Sequence, residues 1–232
     1  MKCIFGVCST APANKRLKNG YTLYDWVMRK RCFPAFWGRP LLGEQAVTTE
    51  ELEFLTQKDC RVALMISDLT EAGVSAPSGK KDALRAVNAA KKLGVPQNSG
   101  IALFAEIHPE WSINHNWMIS FARTVLANGY LPGFIGNTDS SDNFNFDRQC
   151  SHYVHATKEQ KQFGAIYWAT APKQSKMPKE WSPYCTSALN PEDMHLWSPG
   201  KSVFDDISLD EIYARDEKVL ECMWERRYNK NE

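Results

Sequence analysis

Short apolar runs rich in β-branched and aromatic residues alternate along this chain with amphipathic stretches of helical length. This alternation is typical of βαβ units, in which helices join the strands of a parallel sheet. The run Arg61–Ser67 is apolar almost throughout, as expected of a strand whose two faces are both covered. The predicted strands are Cys3–Val7, Phe33–Arg39, Arg61–Ser67, Ile101–Ile107, Leu131–Ile135, Ala165–Thr170, Met194–Trp197 and Ser202–Asp205.

Residues that favour helix ends bracket the stretches between these strands. Thr22 stands three positions before Asp25, and Thr48 three positions before Glu51, which is the spacing of a capping box. Gly94, with a proline two positions later, is a stop signal. The predicted helices run from Thr22 to about Arg29, from Thr48 to about Gln57, from Ser78 to Gly94, from Ser112 to Gly129, over Phe144–Cys150, and from Ser208, paired with Glu211, to about Arg227.

Eight strands, with helices between most of them, predict an α/β fold: a (β/α)8 TIM barrel with degenerate last strands. The chain of 232 residues is long enough, because barrels of this kind begin at about 200 residues. It contains no linker or sequence repeat, so residues 1–232 are predicted to form a single barrel domain. An open doubly wound sheet with eroded strands is the alternative that the pattern leaves open.

The charge balance and the hydropathy argue against a nucleic-acid or membrane partner. The formal net charge of +1 provides no overall field toward an anionic polymer or bilayer. No run of about 18 apolar residues occurs, so no membrane span is predicted. The apolar run Cys3–Cys8 is shorter than the roughly 7–15 residues of a secretory signal core. We therefore expect a protein that is cytoplasmic or released without a recognisable signal peptide; its oligomeric state stays open.

No sequence pattern indicates a metal or a cofactor. The seven cysteines include no CxxC pair, so a zinc site of the usual kind is not predicted. No P-loop and no dinucleotide-binding glycine fingerprint occurs. His152 and His155 have no neighbouring cluster of acids or thiols, so a solvated helix face is the simpler interpretation. The expected set of cofactors and metals is therefore empty.

Seven segments, taken together and in order, resemble a known family. They are FGVCSTAPAN at 5–14, TLYDWV at 22–27, PAFWGRPL at 34–41, VTTEELEFL at 47–55, AAKKLGVP at 89–96, GYLPGFIGN at 129–137 and AIYWATAP at 165–172. The family is that of the bacterial glycoside-hydrolase-like TIM-barrel proteins of unknown function, which are distant relatives of lysozyme-type muramidase barrels. The resemblance extends from about residue 4 to about residue 206 and implies a barrel with its site at the strand ends.

The resemblance also implies where acids would stand at the mouth of the barrel. The first strand of the family ends in an aspartate, and here the matching residue is Cys8. Its fourth strand carries an acid near its end, and here that position is His108, with Glu106 two residues earlier on the same face. Two of the acids are therefore replaced.

Two further positions carry acids as the resemblance implies. The third strand of the family ends in Asn-Asp, matched here by Ser67 and Asp68. The last strand delivers an aspartate, matched by Asp205 or Asp206. Both would lie at the C-terminal ends of strands, where barrels of this kind carry their active sites.

Glycoside hydrolysis normally needs one carboxyl that protonates the leaving oxygen and a second that attacks or activates water. Glu106 is the candidate acid, with Asp68 or Asp205 as its partner, and His108 is a candidate proton shuttle. The alternative is that Glu106 only makes structural hydrogen bonds at the rim. A thiol nucleophile formed by Cys8 with His108 is a further option, although Cys8 is more simply a neutral replacement.

The candidate substrate-binding residues are polar or aromatic and fall at the predicted strand ends. Trp168 and Trp197 would stack on sugar rings, or would instead pack between the barrel and its helices. Arg39 would bind a carboxylate, either of a substrate or of Asp68 in an internal ion pair. The candidates are Cys8, Arg39, Asn137, Trp168 and Trp197.

Two functions follow from these expectations. The first is a glycoside-hydrolase-like protein with a degenerate active site that acts on or binds a glycan such as a peptidoglycan-like polymer. The second is a non-catalytic pseudoenzyme that binds a glycan or a protein through the old mouth. The first predicts turnover that depends on Glu106, and the second predicts saccharide binding without turnover.

Overall fold

Eight strands close into a barrel in which each strand pairs with the next and the last pairs with the first. The computed structural model describes residues 3–139, 146–158, 164–174, 180–204 and 207–225. The strands are β1 Ile4–Ser9, β2 Phe36–Pro40, β3 Arg61–Ile66, β4 Ala102–Glu106, β5 Leu131–Gly136, β6 Ile166–Ala169, β7 Leu196–Phe204 and β8 Ile207–Ala214. The protein is thus a mixed α/β protein with a closed eight-stranded barrel, and the open doubly wound sheet is wrong.

From β2 to β6, each strand is preceded along the chain by at least one helix. The helices are α1 Leu23–Lys30, α2 Thr49–Gln57, α3 Glu71–Ser75, α4 Lys80–Lys92, α5 His115–Ala127, α6 Phe146–Lys158 and α7 Glu217–Leu220, with a 3-10 turn at Pro191–Asp193. The Thr22 and Thr48 side chains cap α1 and α2 by accepting hydrogen bonds from the backbone N–H groups of Asp25 and Glu51. These two caps are as the sequence predicts.

The last two strands depart from the predicted (β/α)8 repeat. β7 and β8 form an antiparallel hairpin, and β8 also pairs antiparallel with β1. The helix predicted from Ser208 to about Arg227 is therefore wrong from Ser208 to Ala214, which belong to β8. In that strand Ile207, Leu209 and Tyr213 pack outside the barrel, whereas Ile212 and Ala214 point inside. This two-residue period belongs to a strand.

Alternation along each strand sorts the side chains into two apolar clusters. On β3, Val62, Leu64 and Ile66 point outward against the helices, whereas Ala63 and Met65 point into the barrel. The interior is filled rather than hollow: on β5, Gly133 leaves room for the Phe104 ring, since a Cβ there would lie 2.3 Å from it.

The C-terminal segment closes the lower end of the barrel. Val219, Cys222 and Met223 join the interior cluster. The backbone N–H of Ala102 donates to the carbonyl of Cys222, and Val62 exchanges hydrogen bonds with Trp224. The opposite end, where the parallel strands finish, is left to form a mouth.

Candidate active site at the barrel mouth

A cavity of about 850 Å³ opens where the parallel strands end. This is the place where α/β barrels carry their active sites, and the volume suits a ligand of one or a few rings. Its wall includes Cys8, Glu106, His108, Asn137, Trp168 and Asp210, together with loop residues that follow β4 and β6.

The inward-facing side chains change from apolar to polar at the level of the cavity. Deeper in the barrel lie Met65, Phe104, Ile135, Trp168 and Ile212. Two positions nearer the mouth, the same faces carry the polar or weakly polar residues Ser67, Glu106, Asn137, Thr170 and Asp210. Because every second residue of a strand faces inward, these five residues form a polar ring directly above the apolar interior.

Glu106 ends β4 and points inward, on the same face as Phe104. Burial raises the pKa of its carboxyl, and the charge of Asp210 raises it further. A hydrogen bond from the Ser67 side chain and the nearby His108 and Lys201 oppose this shift. A carboxyl in such surroundings holds its proton to higher pH than an exposed glutamate does.

Asp210 is the acid that the sequence pattern missed. It lies on β8, four strands from Glu106 in either direction around the barrel, so the two carboxyls face each other across the lumen. Burial raises the pKa of Asp210, whereas the ammonium groups of Lys173 and Lys201 lower it. Because β8 runs antiparallel to β1, the start of this strand, not its end, reaches the mouth.

Cys8 lies beside Asp210, since the two residues are direct partners in the β1–β8 ladder. Its Sγ is 3.5 Å from the Sδ of Met65. Burial raises the pKa of this thiol well above its usual value, and the charges of Glu106 and Asp210 raise it further. The thiolate that a nucleophile requires is therefore disfavoured, which argues against the Cys8–His108 option.

His108 stands on the exposed rim of the cavity. Its Nδ1 accepts a hydrogen bond from the backbone N–H of Glu110 at 3.3 Å. The imidazole packs against Trp111, with 5.5 Å between the ring centroids. Tyr184, which is 45% exposed, lines another part of the same mouth. Trp111 and Tyr184 are thus rim aromatics within reach of a bound molecule.

Asn137 and Trp168 also line the cavity. The Oδ1 of Asn137 accepts a hydrogen bond from the backbone N–H of Asp139 at 2.9 Å. Trp168 lies at the floor, and its Nε1 donates to the Oγ of Ser198 at 2.7 Å. With only 2% of its surface exposed, Trp168 forms the base of the site and not an open stacking face.

Three other residues that the sequence suggested lie outside the cavity. Each of them is one residue away from a position whose side chain points into the barrel. Asp68 follows the inward-facing Ser67 and binds Arg85 of α4. Trp197 follows the inward-facing Leu196, is fully buried, and its Nε1 donates to the carbonyl of Pro172. A one-residue shift along a strand transfers a side chain to the other face.

Arg39 is the third such residue, and its partner is not Asp68. It is fully buried, and its Nε lies 2.8 Å from the Oε1 of Glu51, which is also fully buried. Its remaining N–H groups donate to the backbone carbonyls of Ser9, Thr10 and Gln45. The internal ion pair that the sequence suggested is present, with Glu51 as the acid, and it secures the loop that follows β1.

The remaining candidate, Asp205, lies outside the described residues. Within the described ranges, no three His, Cys, Asp or Glu side chains are arranged to hold a metal ion. Across those same ranges, none of the helices combines the length and the apolar character needed to cross a bilayer.

Comparisons with known proteins place the fold. No protein-family model matches the chain, and no curated protein does. An uncharacterised protein of B. stearothermophilus is similar at 23% identity and TM-score 0.77, over 95% of this chain and 100% of that one. A Tat-secreted protein of Mycobacterium tuberculosis, solved in complex with HEPES, is similar at 12% identity and TM-score 0.57, over 90% and 94%. These likenesses show a shared fold.

A lysozyme from Streptomyces coelicolor is more distant, at 8% identity and TM-score 0.49, over 96% of this chain and 97% of that one. A likeness of this degree carries no argument about chemistry, since one fold supports many activities. The case for function therefore rests on the residues at the mouth.

Proposed function

We propose that this protein is a glycoside-hydrolase-like protein whose mouth binds a glycan and cleaves it with Glu106 and Asp210. The observation that carries the proposal is that two carboxyls from opposite strands meet one cavity and interact electrostatically. Hydrolysis of a glycosidic bond needs such a pair on the two sides of the bond. The partner of Glu106 is thus Asp210, in place of Asp68.

The surroundings of the two carboxyls divide the roles. Glu106 feels the negative charge of Asp210, which raises the pKa of Glu106 beyond the effect of burial. The two lysines near Asp210 favour its ionised form. Burial raises the pKa of both carboxyls, but the neighbouring charges favour the protonated form at Glu106 and the ionised form at Asp210. This is the arrangement of a general acid opposite a nucleophile or base.

The rim supports a saccharide ligand. Trp111 and Tyr184 present aromatic surface to the cavity, and apolar rings suit the apolar faces of sugar rings. The polar groups between them, such as Asn137 and Thr170, supply hydrogen-bonding positions in a mainly apolar wall. A peptidoglycan-like polymer is the finer proposal, and it rests on the resemblance of the sequence segments alone.

A non-catalytic glycan-binding protein is the second candidate, and Cys8 favours it. This residue occupies the place at which the resembling family carries an aspartate, next to Asp210. A neutral thiol there removes one negative charge from the mouth. Binding without turnover is the outcome if the missing carboxylate is indispensable.

The deciding experiment combines a structure with an assay. A crystal of the protein with a chitin- or peptidoglycan-derived oligosaccharide gives the separation of the Glu106 and Asp210 carboxyls. About 5–5.5 Å predicts retention of the anomeric configuration, and about 6.5–9.5 Å predicts inversion.

Turnover of the same oligosaccharides is then compared among variants. Glu106→Gln and Asp210→Asn are expected to lose at least about 100-fold in rate, in line with the loss of a general acid or base. Asp68→Asn is the matched control, because Asp68 points away from the cavity. Binding with no turnover in the parent protein favours the second candidate; turnover that survives Glu106→Gln removes Glu106 from the mechanism.

A further inference from the structure

Close to the mouth, strand β7 contains one extra residue relative to its partner strand β8. Between Trp197 and Gly200 the strand advances three residues, while its partner β8 advances two, from Tyr213 to Glu211. The extra residue makes Ser198 and Pro199 a β-bulge. Bulges next to active sites commonly redirect a side chain.

Here the bulge redirects Lys201. Trp197 points outward, so in a regular strand every second residue, including Lys201, would point outward as well. After the bulge, Lys201 instead pairs directly with Asp210, which faces the mouth. Direct partners in an antiparallel pair share a face, with Cβ atoms about 4.5–5.5 Å apart. Lys201 therefore extends from the same face as Asp210.

The bulge also holds a second lysine. The Nζ of Lys173 lies 3.4 Å from the carbonyl oxygen of Ser198, and the backbone N–H of Gln174 donates to the carbonyl of Pro199. Lys173 lines the cavity. Lys173, on the loop after β6, and Lys201, just beyond the bulge of β7, thus both lie close enough to Asp210 to act on its charge.

Two ammonium groups close together repel each other, and this repulsion affects the pKa of Lys173. Burial lowers its pKa, Lys201 lowers it further, and Asp210 raises it. The carboxylate of Asp210 offsets one of the two positive charges, and an anionic group bound by both ammonium groups would offset the other. Two other acids line the cavity, Glu106 and Asp139. Glu106 comes from β4, on the opposite wall of the barrel from β8.

We propose that Lys173 and Lys201, aligned by the bulge at Ser198–Pro199, bind an anionic substituent of the glycan, either a carboxylate or a phosphate. The proposal rests on the proposed function and refines it by naming the substrate class: an acidic saccharide, with its charged group on the β7–β8 side of the scissile bond. Lysine suits such a group, since its ammonium has three donors and is free to reorient.

The test is a titration followed by NMR or calorimetry. The probes are a glucuronate-containing oligosaccharide, a phosphorylated oligosaccharide, inorganic phosphate, and an uncharged chito-oligosaccharide. The parent is compared with Lys173→Gln, Lys201→Gln and the charge-retaining Lys201→Arg. Lys91→Gln is the control with the same change of charge, because Lys91 is exposed at the end of α4, where its Nζ contacts Asn128.

The expected result is that each Lys→Gln change at the mouth weakens an anionic probe about 10-fold or more, in line with hydrogen bonds to charged groups. Lys201→Arg and Lys91→Gln retain binding, and affinity for the uncharged probe is unchanged. Added salt weakens the anionic probes in the parent protein. The charged probe, carboxylate or phosphate, whose affinity falls in the lysine variants identifies the substituent.

The outcomes separate the two proposals. If the uncharged oligosaccharide binds but no anionic probe depends on either lysine, the anion site is overturned and the proposed function stands. If phosphate binds through the lysines and no saccharide binds, the anion site stands and the glycan proposal fails. If no probe binds the parent protein at all, both are overturned.

Discussion

Breaking the buried ion pair between Arg39 and Glu51 should cost more stability than breaking a partly exposed pair such as that of Arg85 with Asp68. Arg39 and Glu51 are both fully buried, and they meet at 2.8 Å. Glu51 also accepts a hydrogen bond from the backbone N–H of Ala13 at 2.7 Å. Changing Glu51 to Gln leaves the Arg39 charge buried without its counter-charge. Removing one member of such a pair costs about 3–5 kcal/mol.

The assay is denaturation in urea together with thermal unfolding. For a chain of this size each kcal/mol corresponds to roughly 2–4 °C, so Glu51→Gln should lower the melting temperature by roughly 6–20 °C. The denaturant slope should not change, because the fold is retained. Arg85→Gln is the matched control: it breaks the partly exposed pairs with Asp68 and Asp82 and should cost about 1 kcal/mol or less.

A double change to Arg39→Leu with Glu51→Leu tests the cause. It removes both charges together, so it should recover much of the loss that Glu51→Gln produces. The reasoning is refuted if Glu51→Gln unfolds within about 1 kcal/mol of the parent protein, because the buried arginine would then need no carboxylate.

Four further predictions concern the interior, the mouth and the cysteines. Gly133→Ala should destabilise the protein by about 1–3 kcal/mol in urea denaturation, because the new Cβ would lie 2.3 Å from the Phe104 ring; an unchanged midpoint would mean that the ring moves freely. Because burial raises the pKa of Glu106, ionising it opposes folding, so Glu106→Gln should be more stable than the parent at pH 8 and equal to it at pH 4; the opposite pH dependence in thermal unfolding would contradict this. Turnover, if present, should fall as pH rises through the pKa of Glu106. Iodoacetamide should label the exposed Cys32 at least about 10-fold faster than Cys8, whose buried thiol has a strongly raised pKa, and mass spectrometry would reveal the reverse order.

Much of the cavity lining can be predicted from where the strands end in the sequence. Glu106, His108, Asn137, Trp168 and Cys8 all line the cavity, as the positions of their strands suggest. Their roles in binding or catalysis remain predictions. Each of them lies near the C-terminal end of an apolar strand or just after it, in step with the inward-facing side chains of that strand.

Other expectations misjudged which face of a strand a residue occupies, or took a returning strand for a helix. Arg39, Asp68 and Trp197 stand at strand ends, but each is one residue away from the inward face. Asp210 was missed because the pattern around Ser208 and Glu211 also fits the start of a charged helix. Nothing within a short window distinguishes that helix from a strand whose partners lie far away in the chain.

The parallel strands, the capped helices and the polar residues that follow the apolar runs can be predicted from the sequence, because these features depend on neighbours within a few positions. The antiparallel return of β8, which brings Asp210 opposite Glu106, and the bulge that turns Lys201 toward the same mouth are visible in the folded barrel alone. Strand direction, register and bulges are set by hydrogen bonds between distant segments and by closure of the barrel. A difference of one residue in that pairing therefore decides which side chains meet in the site.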